Sequence, residues 1–245
     1  MQFNVNRGYL FLPWILISFL LAASLSFGED DVWKNRNSAA GAKAAFEYYR
    51  TRYRENQDFV SAWKFCRAVD FYAGNFVTNK ESLEEFYTDA KKAAEAACNL
   101  EPSMPEGWYW YCICLGNWAS YASVLDTITL ANRLIEGCNR VIRLDPSFDK
   151  GAVYQLRGRI YHLAPPIVSV GDRVKAEADY RKALEFNPND RTTCRFYAEL
   201  LLDIGRKNEA REMVSKGLAI PEDESDIISD SKEIQALQAL RDKLK

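Results

Sequence analysis

Residues 171–190 read GDRVKAEADYRKALEFNPND. Gly171 stands at a turn, Ala176, Tyr180 and Ala183 follow on one helical face, and Pro188 closes the segment. The proline ends a helix because its ring has no N–H to donate and biases the preceding residue away from helical angles. A small side chain such as Ala176 lets two antiparallel backbones approach closely, while Tyr180 fills the space between neighbouring helix pairs. The next segment repeats the arrangement in register, with Tyr197 and Ala198, Leu201, a turn at Gly205, then Ala210, Val214, Gly217 and Pro221. Upstream, AAEAACNLEP closes at Pro102 and GCNRVIRLDP at Pro146. The closing prolines are therefore spaced by 44, 42 and 33 residues.

The last interval is close to the tetratricopeptide period of about 34 residues, and the other two are that period plus about 8 to 10. Because several positions recur in two consecutive units, residues 171–221 resemble the tetratricopeptide family. A helix pair of this kind cannot bury its apolar face alone, so pairs must stack. The expected fold is all-α: a right-handed superhelical solenoid of antiparallel helix pairs with two insertions and a C-terminal capping helix. A first helix is expected over 40–56, with Ala45, Tyr49 and Tyr53 on one face. Pairs then follow at 58–74 with 82–100, 105–125 with 127–144, 149–163 with 172–186, and 191–204 with 207–219. The helical domain is expected over 40–221, after a linker at 29–39. The run Glu222-Asp223-Glu224-Ser225-Asp226 makes 222–229 an acidic, solvated linker. Residues 230–245 form the cap, with Ile234, Leu237, Leu240 and Leu244 on one face.

The amino terminus has a different character. Residues 9–25, YLFLPWILISFLLAASL, are apolar apart from serines and follow Arg7. Small residues come next, at Ser26-Phe27-Gly28 or at Ala22-Ala23-Ser24. A cationic start, a short apolar stretch and a small-residue exit describe a secretory signal peptide over residues 1–28. The alternative is an uncleaved anchor at 9–25, although Pro13 interrupts it and about 20 apolar residues are usual for a span. Either way the expected location is outside the cytoplasm, in a bacterial periplasm or tethered at its membrane. The first cysteine is Cys66, so a lipid-anchored form is not expected.

Composition narrows the function. With 32 Lys+Arg against 34 Asp+Glu in 245 residues, no basic excess exists to neutralise phosphates, which argues against nucleic acid as a partner. His162 is the single histidine, which excludes a metal site built on a histidine cluster. No Gly-rich phosphate loop and no metalloprotease or nucleophile motif is present. The chain therefore reads as a non-enzyme without cofactor or metal.

Two insertions interrupt the repeat. One is the long aromatic segment 107–138, and the other is HLAPPIVSVGD at 162–172. A loop with Pro165-Pro166 and then Ile167, Val168 and Val170 is a stiff apolar projection. It either folds back onto the neighbouring unit as core or lines a groove or subunit contact. WKFCRA at 63–68, GWYWYCICLGNW at 107–118, LRGRIYHLAPP at 156–166 and RFYAELLLDIGRKNEA at 195–210 together resemble the T-component proteins of TRAP transporters. The resemblance implies an exported bacterial scaffold, homo-oligomeric in some cases, that meets a periplasmic solute-binding protein. A general cell-envelope assembly adaptor without a small-molecule ligand is the alternative.

In tetratricopeptide arrays the first helix of each pair lines the inner groove. The exposed groove places here are Lys64, Arg67, Tyr109, Asn117, Gln155, Arg159, His162, Arg195 and Glu199. Guanidinium offers fixed bidentate donors, so Arg67, Arg159 and Arg195 are expected to hold a carboxylate of a peptide or organic acid, with Tyr109 and Trp118 giving apolar contact. The alternative is internal pairing with Asp70 and Glu199. His162, near a helix end, reads as a capping or packing residue. Six cysteines allow 15 pairings. Cys112 and Cys138 fall at facing core places of one helix pair and are the candidate disulfide; the alternative is that all six are small buried hydrophobes.

Overall fold

The structure, a computed structural model, describes residues 29–121 and 124–245. Eleven α-helices and one 3-10 turn account for the regular structure of these residues, and none of them forms a strand. Helix α1 covers Glu29–Lys34, α2 Ala39–Asn56, α3 Phe59–Phe76, α4 Lys80–Leu100, α5 Pro105–Ala119 and α6 Val124–Leu144. Then come α7 Phe148–Leu163, α8 Arg173–Phe186, α9 Arg191–Asp203, α10 Lys207–Ala219 and α11 Ile227–Lys243. The fold is an all-α solenoid in which each helix packs on its sequence neighbour, as the proline spacing required. The signal or anchor reading of residues 1–28 lies outside the described residues. Among those described, no helix is long and apolar enough to cross a membrane.

Local chemistry explains the helix ends. Asp58, Asn79, Asp172 and Asp190 each precede a helix and accept a hydrogen bond from a backbone N–H of its first turn. Such caps satisfy donors that have no partner within the helix. Pro105 opens α5, where a missing N–H costs nothing. Helix α7 begins later than its sequence suggests, because Asp149, Lys150 and Gly151 are left-handed. Gly151 is required there: a Cβ would lie 2.7 Å from the Phe186 side chain.

The apolar interior divides in two. The first core runs from Phe46 and Tyr49 on α2 to Val141 on α6, and takes in Val153 and Tyr154 of α7. The second holds Ala176 and Tyr180 of α8 with Tyr197, Leu200 and Leu201 of α9 and Leu237, Leu240 and Leu244 at the carboxyl end. Leu237 is fully buried, so α11 caps the array as expected.

Two segments expected as linkers are built into the fold. The 29–39 stretch contains α1, whose Trp33 ring meets Tyr49 and Phe71 edge-on. The acidic 222–229 segment is not simply solvated. Its Asp226 carboxylate lies 3.5 Å from the Arg36 guanidinium, and the Asn37 amide donates to the Ser225 carbonyl at 3.1 Å. On α11, Lys232 donates to the Gly74 carbonyl of α3 at 3.0 Å. The carboxyl-terminal segment thus returns to the first helices, where the Arg36 guanidinium sits between the Trp33 and Phe71 rings.

Candidate functional site

The first helices of successive pairs pack unevenly. Helices α3 and α5 touch, as do α7 and α9, whereas α5 and α7 meet only sparsely, as where Tyr109 packs against Phe148, and are bridged by α6. A cavity of about 620 Å³ fills this wedge, within the roughly 300–1,000 Å³ of typical ligand pockets. Ile113 and Gly116 of α5 form one wall, and Leu156, Ile160 and Leu163 of α7 the other. Leu130, Ala131 and Leu134 of α6 line the back. The loop after α7 contributes Pro165, Val168 and Ser169. This loop does not become core: Ile167 is 94% exposed, while Val168 and Pro165 border the cavity. Gly116 faces open space, since a Cβ there would meet no atom within 4 Å.

Few polar groups reach this chamber. Asp70 of α3 accepts a hydrogen bond from the Asn117 amide at 2.8 Å. Burial pushes its carboxyl up to about 6; the Asn117 bond opposes the shift and the nearby Asp226 charge adds to it. Arg159 donates to Glu199 at 2.6 Å and lies 4.2 Å over the Phe196 ring. The Ser169 hydroxyl oxygen is buried without a hydrogen-bond partner. No group of three or more potential metal ligands occurs among the described residues.

Of the ten groove residues expected from sequence, Asn117 and Arg159 line this cavity. The others are engaged elsewhere. Arg67 lies over the Trp33 ring at 3.9 Å and donates to the Tyr49 hydroxyl at 3.4 Å, and Lys64 is 5.5 Å from the Trp63 ring centre. Tyr109 packs against Trp110 and Phe148, and burial raises its phenol. Trp118 lies beneath the Lys91 ammonium at 3.6 Å. Gln155 donates to Asp190 and to Thr193 Oγ1 at 3.2 and 3.1 Å. His162 bonds Asp203 through Nε2 at 2.9 Å and meets the Tyr180 ring edge-on.

Arg195 donates to Glu199 at 2.7 Å and to Glu233 of α11 at 2.9 Å. Its neighbour Arg191 pairs with Asp230. Arg159 and Arg195 are thus answered by Glu199 and by the capping helix, which is the internal pairing given above as the alternative to a carboxylate-binding groove. Cys112 and Cys138 are neighbours across α5 and α6, but all six cysteines are free and buried. The Cys112 thiol instead donates to the Leu134 carbonyl at 3.5 Å. Burial pushes the thiols of Cys98 and Cys194 up to about 12 and about 11.

Sequence reasoning missed the wedge itself, with Asp70 as a wall residue and with Ile113, Gly116, Leu134 and Ile160. Gly116 was the available signal, a glycine inside a helix where alanine would be more favourable and no turn needs it. The loop at 165–168 was correctly singled out as a feature outside the repeat.

Helix pairs stacked around an apolar wedge define a tetratricopeptide-like solenoid with a ligand-sized chamber. The sequence profile of the Regulator of microtubule dynamics protein 1-3 family matches residues 30–164, more than half of the chain, and the chain belongs to that family. This is a different family from the TRAP T-components, and no comparison supports the latter resemblance. No curated protein matches the chain. Among solved structures it resembles TTC0263, a thermophilic TPR protein of Thermus thermophilus, at TM-score 0.65 and 18% identity over 86% of this chain and 100% of that one. At that identity the likeness is one of fold. The TPR2AB domain of yeast Sti1, in its pHSP90 complex, aligns over 88% of this chain and 96% of its own at 13% identity, and its TM-score of 0.38 carries no argument.

Proposed function

We propose that this protein is a non-enzymatic interaction scaffold that holds an apolar group of its ligand or partner in the wedge between α5 and α7. We further propose that it acts in the process for which its family is named, the regulation of microtubule dynamics. The observation carrying this reading is the cavity, which is large and mostly apolar; its helical walls lie within the residues matched by the family profile, while Pro165, Val168 and Ser169 of its loop lie beyond them. Apolar lining with a few placed polar groups is the usual composition of ligand sites. The apolar segment 9–25 supplies a further proposal, that the scaffold is exported or tethered at a membrane; carbonate extraction of the full chain from cells tests it. A role in TRAP-type solute uptake remains the weaker alternative, now without a family match behind it.

A cavity-filling substitution tests the main reading. Gly116→Leu points new atoms into empty space. The full chain is expected to bind a polarity-sensitive apolar dye and to alter the growth or shortening rate of microtubules assembled from purified tubulin. The variant is expected to lose both. A folded variant that keeps dye binding and the effect on microtubules overturns the reading.

A further inference from the structure

Filling the wedge with an apolar group leaves its charged wall residue unanswered. Asp70 accepts one hydrogen bond, from the neutral Asn117 amide, and no lysine or arginine among the described residues pairs with it. Ser169 Oγ, on the loop across the chamber, is buried without a partner. The cation on the wall, Arg159, is held by Glu199. A carboxylate in apolar surroundings is costly unless an opposite charge or further donors reach it.

We infer that the chamber selects an amphipathic organic cation, with its apolar body between α5, α6 and α7 and its ammonium group against the Asp70 carboxylate. This rests on the cavity reading above and adds the class of head group. Asp70 Oδ1 takes the Asn117 amide, so Oδ2 is the oxygen left for the ligand. An anionic head group fits less well, because it meets Asp70 without offset and must compete with Glu199 for Arg159. A neutral one leaves the carboxylate without a counter-charge.

Protonation gives the inference a second handle. The titratable and charged groups around Asp70 are Tyr87 on α4, Tyr109 and Cys114 on α5, Asp226 from the carboxyl-terminal segment and Arg159 on α7. Burial raises both tyrosines and the thiol, so they stay neutral at ordinary pH. Asp70 itself, held up near 6, changes charge in an accessible range. The preference for a cation is therefore full well above pH 6 and fades as pH falls below it.

The test uses the full chain and three probes of one chain length, n-octylamine, n-octanol and octanoate, each displacing the apolar dye. At pH 7.5 the amine is expected to bind about tenfold or more tighter than the alcohol, the scale of a charge-assisted hydrogen bond. Asp70→Asn keeps the shape and the dye site and is expected to bring amine and alcohol level. In the unaltered chain, moving to pH 5 is expected to shrink the same gap. Equal affinities for amine and alcohol at pH 7.5 would overturn the inference and leave the cavity reading standing. So would an undiminished preference in Asp70→Asn. If neither dye nor any probe binds, both readings fail.

Discussion

The amino-terminal and carboxyl-terminal halves of this solenoid solve the same packing problem differently. From α8 onward the array is regular, with small residues at helix crossings and a cap whose Leu237 is fully buried. Its inward arginines are matched by carboxylates at Glu199, Asp230 and Glu233. From α2 to α7 the units are longer, aromatic rings cluster, and two first helices separate around a chamber. Regularity closes the inner surface, and irregularity opens one. The family profile ends at Ala164, so it covers the chamber's helical walls but not the loop from Pro165 that borders it.

Core truncations should separate the halves most sharply. Tyr180 is fully buried, and Tyr180→Ala is expected to cost about 3–5 kcal/mol, as large aromatic truncations do. Leu134→Ala, on the chamber wall, should fall clearly below the ~2–5 kcal/mol usual for buried leucine, because part of its surface already faces a void. Urea unfolding monitored by circular dichroism measures both, and equal losses would erase the contrast.

Glycine substitutions should differ in sign. At Gly158 a Cβ would lie 2.9 Å from the Tyr180 ring, so Gly158→Ala should cost ~1–3 kcal/mol by overpacking. At Gly116 nothing is in the way, and Gly116→Ala should add ~0.5–1 kcal/mol through helix preference alone. Melting temperatures of the two variants check this directly.

Acid should also act oppositely on the two halves, with smaller effect. For Glu177 burial opposes ionisation, but hydrogen bonds from Arg181, Arg206 and Tyr197 prevail and hold it down at about 2. A depressed carboxyl stabilises the fold above its unfolded value, and that contribution is lost as pH falls from about 4.5 toward 2. Asp70 is raised to about 6, so its charged form destabilises the fold, and stability is recovered as pH falls from about 6 toward 4. Stability of Glu177→Gln and Asp70→Asn should consequently converge on the unaltered chain at low pH from opposite sides, the first from below and the second from above. Denaturation midpoints measured across pH 3–8 provide the check.

How much was legible in the sequence follows the same division. Residues 171–221 carry small, aromatic and proline positions in register, and periodic packing makes those positions diagnostic of helix pairs. Arg195 and Glu199 could be placed on a first helix, yet Arg195's second partner, Glu233, lies 38 residues away, and spacing along one helix says nothing about such a contact. The chamber was harder still. It arises where contact between α5 and α7 is sparse, and a sparse contact leaves no pattern in composition beyond Gly116 and the apolar loop. Cys112 and Cys138 show the limit from the other side: facing helix positions bring two thiols close but do not decide between a disulfide and two buried free cysteines.

The return of the carboxyl-terminal segment to Arg36 and Asn37 has a mechanical consequence. Repeat arrays are quasi-one-dimensional and each unit answers only to its neighbours, so their ends fray independently. Here the Asn37 amide reaches the Ser225 carbonyl 188 residues away, which turns a strip into a ring fastened by a buckle. Peeling either terminus then strains the other, and separating α5 from α7 further has to stretch the whole circuit.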